Sequence, residues 1–132
     1  AGPNSRKVLQ KLTSTDLSNA AFPWLSGQAI SVGHTSCHAL RVNFVGELGF
    51  EFHHPIEQQV ALFDLLMEAG REFGIKPYGI KAMSSLSIEK SYRLVPRELS
   101  IEYSAYESGL DRSLTRVSSW GGMHWLRAAR SA

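Results

Sequence analysis

The sequence predicts an α+β fold in which helices pack on an antiparallel sheet. Three observations carry this reading. Alternating apolar and polar residues mark strands at 28–32, 38–45 and 50–53. A helical stripe follows, with Ile56, Val60, Phe63 and Met67 recurring at i, i+4, i+7 and i+11. The order helix, strands, helix, helix within residues 1–112 is that of an α+β domain.

Each element has a local reason. Pro3 suits the first turn of a helix, where its missing N–H costs nothing, and Val8, Leu9 and Leu12 then share a face. Ser14 to Asn19 is polar and turn-prone. Gln28–Val32 reads as a strand, Gly33-His34-Thr35-Ser36 as a turn, and His38–Val45 as the next strand, with Leu40, Val42 and Phe44 on its apolar face. Gly46-Glu47-Leu48-Gly49 breaks it. Phe50–His53 resumes, Phe50 and Phe52 on one face, Glu51 and His53 on the other. His54-Pro55 opens the helix carrying the stripe, which Leu62 and Leu66 widen; Gly74 is its stop signal, with Pro77 beyond. A further helix is expected over 78–92, with Ile80, Met83 and Leu86 inward, before Val95-Pro96 ends it. Residues 97–112 read as an extended, partly ordered segment.

Composition narrows the function classes. Apolar residues make up 43% and charged residues 20% of the 132, ordinary for a globular domain. No apolar run reaches the roughly 20 residues that span a bilayer, so no membrane is expected as a partner. The net charge of +2 is uneven: residues 1–112 carry −1, and the basic excess lies in Arg116, Arg127 and Arg130. The body has no basic stripe for a phosphate backbone, and no nucleic acid is expected either. The chain starts Ala1-Gly2-Pro3-Asn4 without a Met, so a processed or truncated start is expected. Cys37 is the single cysteine; it excludes an internal disulfide and suits a reducing compartment.

Several residues carry candidate chemistry. His34, Cys37 and His38 have metal-like spacing, but a closed zinc site needs four ligands, and a surface turn is the favoured reading. No metal is expected. His53-His54 reads as a strand end leading into a helix. Ser84, Ser85 and Ser87 fit a helix packed closely on a neighbour better than a nucleophile. Gly46-Glu47-Leu48-Gly49 leads into a strand rather than a helix, which argues against a phosphate cradle. Glu51 is the acid of interest. It reads either as a solvated outer-face charge or as a cleft acceptor whose two oxygens suit a flat heterocycle with adjacent N–H and NH₂ donors. Phe44 reads as core beside Leu40 and Val42, or as a ring stacked on that heterocycle. Spacing alone favours the plain readings of both.

The stretches Gly2-Pro3-Asn4-Ser5-Arg6-Lys7-Val8-Leu9, Leu17-Ser18-Asn19, Phe22-Pro23 and Leu40 to Glu51 together resemble the folate-binding domain of the glycine-cleavage T-protein (aminomethyltransferase) family. Ser85 to Arg93 and Glu107-Ser108-Gly109-Leu110 extend the match over residues 2–112. The resemblance is strongest to the version fused behind a flavin domain in dimethylglycine and sarcosine dehydrogenases. It implies a fold, the C-terminal half of a T-protein-type domain, and a division into 1–112, the partial folate-binding domain, and 113–132, an aberrant tail. It implies tetrahydrofolate as cofactor, capturing a one-carbon unit from an N-methyl amine, with FAD only in an upstream domain. Glu51 takes the position of the glutamate that holds the pterin edge. Phe44 takes that of a tyrosine by the folate, keeping the ring and losing the hydroxyl, and Glu47 has a supporting, turn-fixing role. Three departures stand out. Met83 replaces the arginine of glycine-cleavage T-proteins, which favours the dehydrogenase branch. Ser84 and Ser91 replace a common aspartate and a common glycine. The family's catalytic aspartate belongs upstream of the Gly-Pro-x-Ser-Arg segment, so no catalytic residue is assigned, and the chain is expected to be inactive and to bind folate weakly or not at all by itself. A mitochondrial-matrix or bacterial cytoplasmic location would follow. The alternatives are a non-catalytic interaction module on the same fold and a flavin-free folate-dependent demethylase.

The tail from about residue 113 reads as a frameshift. The family continues with a segment resembling Phe-Val-Gly-Arg-Asp-Ala-Leu. Trp120-Gly121-Gly122-Met123-His124-Trp125 requires TGG GGN GGN ATG CAY TGG. Read from the third base, those codons force Gly-x-x-Ala-Leu, with Arg and Asp permitted at the two open places. The coding DNA is expected to continue the homology past that Leu in the alternative frame. A DNA sequence that does not continue it removes the reading. A tail of this origin was never selected to pack, so Trp120 and Trp125 are expected to be partly exposed.

Overall fold

The structure is a computed structural model that describes residues 1–95 and 97–110. The tail reading, with Trp120 and Trp125, lies outside the described residues. The described residues fall into two units, 1–92 and 93–110.

The first unit contains α1 (Ser5–Gln10), β1 (Gly27–Val32), β2 (Thr35–Leu40), β3 (Glu51–His53), α2 (Gln59–Gly70) and α3 (Ile80–Glu89). The sheet is antiparallel in the order β1-β2-β3, which is the α+β architecture expected. Helix α1 begins two residues after Pro3 and buries Val8 and Leu9. The Ser5 hydroxyl ties it to the Gly2 and Leu48 carbonyls at 2.6 and 3.0 Å.

The β1–β2 hairpin turns on Gly33-His34 alone, because Val32 pairs with Thr35. Glycine comes first in the turn at φ 58°, a conformation suited to two-residue hairpins. A Cβ at this position would also fall 2.5 Å from Leu65 Cδ2. This tight turn corrects the strand expected at His38–Val45. The strand starts at Thr35, ends at Leu40, and buries Thr35, Cys37 and Ala39 rather than Leu40, Val42 and Phe44. The inner face of β2 is made of small side chains because the bulk comes from Leu9, Leu17, Phe22 and Leu62, which cluster with it. Phe44 is 53% exposed, so its core-packing reading is wrong.

Helix α2 corrects a second expectation. Its buried residues are Leu62, Ala69 and Gly70, with Leu65 and Leu66 packed on the core, while Ile56, Val60 and Phe63 are exposed. The segment is apolar on more than one side, and Leu62, Leu65 and Leu66 are the ones that join the core formed by α1, the following loop and the sheet. Gly74 stops the helix as expected. A short 3₁₀ turn, Arg71–Phe73, precedes it; Gly74 is left-handed, and the Ile75 N–H reaches the Gly70 carbonyl at 3.2 Å.

Helix α3 is shorter than the expected 78–92. It exposes Ile80, half-buries Met83 and Leu86, and fully buries Ser87. Its end repeats the α2 pattern: the Tyr92 N–H bonds the Ser87 carbonyl at 2.8 Å and the Ser91 N–H bonds the Ile88 carbonyl at 2.9 Å. The residue at the left-handed position is Ser91, at φ 49°. A side chain there is strained against the following carbonyl. Ser91→Gly is therefore expected to stabilise the unit by about 0.5–1 kcal/mol, read from urea unfolding; destabilisation would show that the serine side chain contributes more than the strain costs.

In the second unit, residues 97–110 form bends and one capped helical turn, not the extended segment expected. The Ser104 N–H donates to Glu107 Oε2 at 2.8 Å, and the Glu107 N–H donates to Ser104 Oγ at 3.3 Å, a reciprocal capping box. Gly109, at φ 66°, closes the turn. The Ser104 N–H, then its hydroxyl, hold the Glu107 carboxyl below its ordinary value. A carboxyl lowered on folding stabilises above its unfolded pKa and loses that contribution as pH falls through the folded one. Amide exchange at Ser104 is expected to speed up once pH drops below about 4.3, in excess of the exchange chemistry itself; Glu107→Gln should abolish that dependence.

Among the described residues no helix is long and apolar enough to cross a membrane.

Candidate functional site

Residues 41–50 leave the sheet between β2 and β3 and carry two of the three candidate residues. Asn43 organises the segment. Its Oδ1 accepts the Val45 and Glu47 N–H groups at 2.9 and 3.1 Å, and its amide donates to the Glu47 carbonyl. Gly49 must be glycine here, because a Cβ would fall 2.9 Å from Asn43 Cβ. Gly46, at φ 68°, backs onto Lys90 and Tyr92.

Two contacts then dock this loop on the C-terminal end of α3, and a buried valine accompanies them. The buried Ser87 hydroxyl donates to the Phe44 carbonyl and lies 2.8 Å from the Met83 carbonyl. Lys90 Nζ lies 2.9 Å from Glu47 Oε1. Val45 turns inward and is buried. Phe44 is thus pinned by its backbone while its ring stands in solvent. Ser87 is the closely packed helix serine expected. The Ser84 and Ser85 hydroxyls bond back to the Ile80 and Lys81 carbonyls at 3.0 and 3.3 Å.

Glu51 is placed by the sheet. It pairs with Leu40 in register, opposite Gly27 across β2, on the face away from the core. Phe52, paired with Ala39, points the other way, and Phe50 packs on Phe22 with ring centroids 5.6 Å apart. Those aromatic anchors hold β3 while its outer face stays open. Glu51 Oε1 lies 2.8 Å from His53 Nε2, and the two side chains are 38% and 58% exposed. The carboxylates of Glu47 and Glu51 are therefore held by different groups, one by the end of α3 and one within the strand.

His53 and its register partner His38 also line an open groove of about 640 Å³ on this outer face, together with Ser31, Ser36 and the Thr13–Thr15 loop. Strand alternation puts Cys37 on the buried side and His38 on the open one, so these two side chains diverge. Burial raises the Cys37 thiol pKa above its ordinary value. His54 turns its ring to the Pro55 carbonyl, with Nδ1 at 2.9 Å, ahead of the 3₁₀ turn Ile56–Gln58.

Sequence reasoning missed the roles of Asn43, Lys90 and His53. The signal for His53 was present, since residues two apart on a strand share a face. Those of Asn43 and Lys90 depend on how the loop folds back and where it docks, which no periodicity encodes.

A family model for the GCVT N-terminal domain matches residues 1–116. The chain is 43% identical over 111 residues to human mitochondrial dimethylglycine dehydrogenase, covering 84% of this chain and 13% of that protein. It is 40% identical over 109 residues to human mitochondrial sarcosine dehydrogenase, covering 83% and 12%. An aminomethyltransferase from Caldanaerobacter subterraneus subsp. tengcongensis is 35% identical over 109 residues, covering 83% and 29%. The chain thus spans 13% of the length of the dimethylglycine dehydrogenases it matches.

Proposed function

The chain belongs to the GCVT N-terminal domain family, and from that premise we propose that it is the part of a tetrahydrofolate-binding domain that presents Glu51 to the pterin edge. One observation supports this above the others: Glu51 stands on the open face of β3, half-exposed, with His53 Nε2 of the same strand 2.8 Å from its Oε1. A carboxylate so placed is an acceptor for two parallel donors, such as the ring N–H and adjacent NH₂ of a pterin. The exposed Phe44 ring offers an apolar face of the size a pterin needs. Glu47 acts at one remove, holding the loop that bears Phe44 against Lys90.

Tetrahydrofolate fits these groups by its donor set and flat ring, and when bound it supplies the acceptor for a one-carbon unit. The chain's own residues bind and orient it. We assign no proton transfer to them, because the acid–base aspartate of the family falls outside the motifs matched here. FAD has no fit among the described residues: the Gly46–Gly49 turn leads into β3 and not into a helix N-terminus. The dehydrogenase relatives favour an N-methyl amine as the one-carbon donor in the parent protein, located in the mitochondrial matrix or a bacterial cytoplasm.

The test is a ¹H–¹⁵N NMR titration of the chain with tetrahydrofolate, carried to millimolar concentrations so that weak binding registers. Amide shifts centred on residues 43–53 are expected. Shifts elsewhere, or none, would remove the folate reading and favour a non-catalytic interaction module on the same fold.

A further inference from the structure

We propose that His53 is a positioning residue for Glu51: its imidazole sets the carboxylate in the orientation that receives the pterin edge, an inference that rests on the Glu51 reading above. The two residues are i and i+2 on β3 and so share its outer face. His53 Nε2 lies 2.8 Å from Glu51 Oε1, close enough to donate to it from the tautomer that carries the proton on Nε2.

A half-exposed glutamate has several rotatable bonds and gives up that freedom when a ligand fixes it. A hydrogen bond from its own strand removes part of the freedom beforehand, and preorganisation of this kind raises affinity. The bond leaves the acceptor usable. A carboxylate oxygen has two lone pairs, so Oε1 can take the imidazole on one and a ligand donor on the other. Oε2 then faces the second donor of a flat heterocycle.

His53 is itself well placed for this. It sits at the end of β3 in register with His38, and Phe52 beside it points into the core side of the sheet. The imidazole thus rises from a backbone held by the β2 ladder. The pair is solvent-exposed, and such pairs add little to folding stability. Its removal should therefore leave the domain folded, which separates positioning from a merely structural role.

The experiment compares tetrahydrofolate affinity, from NMR titration of the full chain, across His53→Ala, His53→Phe, His53→Gln and Glu51→Gln, with a thermal melt of each. His53→Ala and His53→Phe are expected to weaken binding about three- to tenfold at unchanged melting temperature. His53→Gln, whose amide nitrogen reaches where Nε2 does, should bind within about twofold of the parent. If His53→Ala binds like the parent while Glu51→Gln is weakened, the positioning role is overturned and the Glu51 reading stands. If His53→Gln fails as badly as His53→Ala, the hydrogen bond is not what matters and the inference is also overturned. If Glu51→Gln binds like the parent, or the parent shows no binding, the folate reading falls and this inference with it.

Discussion

Phe22→Ala is expected to lower the unfolding free energy by about 3–5 kcal/mol, the range for deleting a buried aromatic side chain. Phe22 is 1% exposed and lies in the cluster with Leu9, Leu17, Ile30, Val32 and Leu62. Its ring meets Phe50 at a 52° interplanar angle. Its backbone carries further contacts, accepting from Arg41 Nη1 at 2.6 Å and donating to the Ser18 carbonyl at 2.8 Å. A cavity there would loosen Phe50 and hence the start of β3, the strand that presents Glu51. Domains of this size have only about 5–15 kcal/mol of stability, so the variant should be largely unfolded at modest urea concentrations. Phe63→Ala is the contrasting case. Phe63 is 47% exposed on the outward side of α2, and its loss should stay within about 0.5 kcal/mol. Urea unfolding of both separates the observed core from the one that the apolar periodicity alone would build. Equal losses would mean that α2 packs on its other face.

The contrast between Phe22 and Phe63 shows where sequence reasoning ran out. The existence and order of the main strands and helices were legible, because alternation, glycine stops and proline positions act locally. Gly74 and the α2 stop are the clearest case. The choice of face was not legible. Helix α2 offers apolar residues around most of its circumference, and only its docking on α1 and the core decides that Leu62, Leu65 and Leu66 are the ones covered. In β2 the inward residues are Thr35, Cys37 and Ala39, which no hydrophobicity count would choose over Leu40, Val42 and Phe44. Pairing of the buried Val32 with Thr35 and of the buried Ile30 with Cys37 sets that parity, and the apolar alternation at 40–44 does not report it. At the site, the alternation Phe50-Glu51-Phe52-His53 already placed the acid and the imidazole together on the outer face. What it could not give was the loop between the strands, where Phe44 leaves the sheet and is held through its carbonyl by a serine 43 residues away.

Glu51→Gln is expected to weaken tetrahydrofolate binding by about tenfold to a hundredfold, the equivalent of about 1.5–3 kcal/mol for a hydrogen bond to a charged group. The substitution preserves length and shape. It removes the charge and replaces one acceptor oxygen by an NH₂, which then faces the donors of the pterin edge rather than accepting from them. It also disturbs the bond from His53, since only one amide oxygen remains to serve both the imidazole and the ligand. Glu51 lies on the open face of the sheet and its bond to His53 is exposed, so the melting temperature should barely change. Glu51→Asp keeps the charge but withdraws it by one methylene, and should fall between Gln and the parent. In a parent protein that also oxidises the amine, Glu51→Gln should lower folate-dependent product formation far more than reduction of the flavin by substrate. Loss of both half-reactions in equal measure, with a lowered melting temperature, would mark a folding defect, and unchanged folate affinity would move the pterin away from Glu51 altogether.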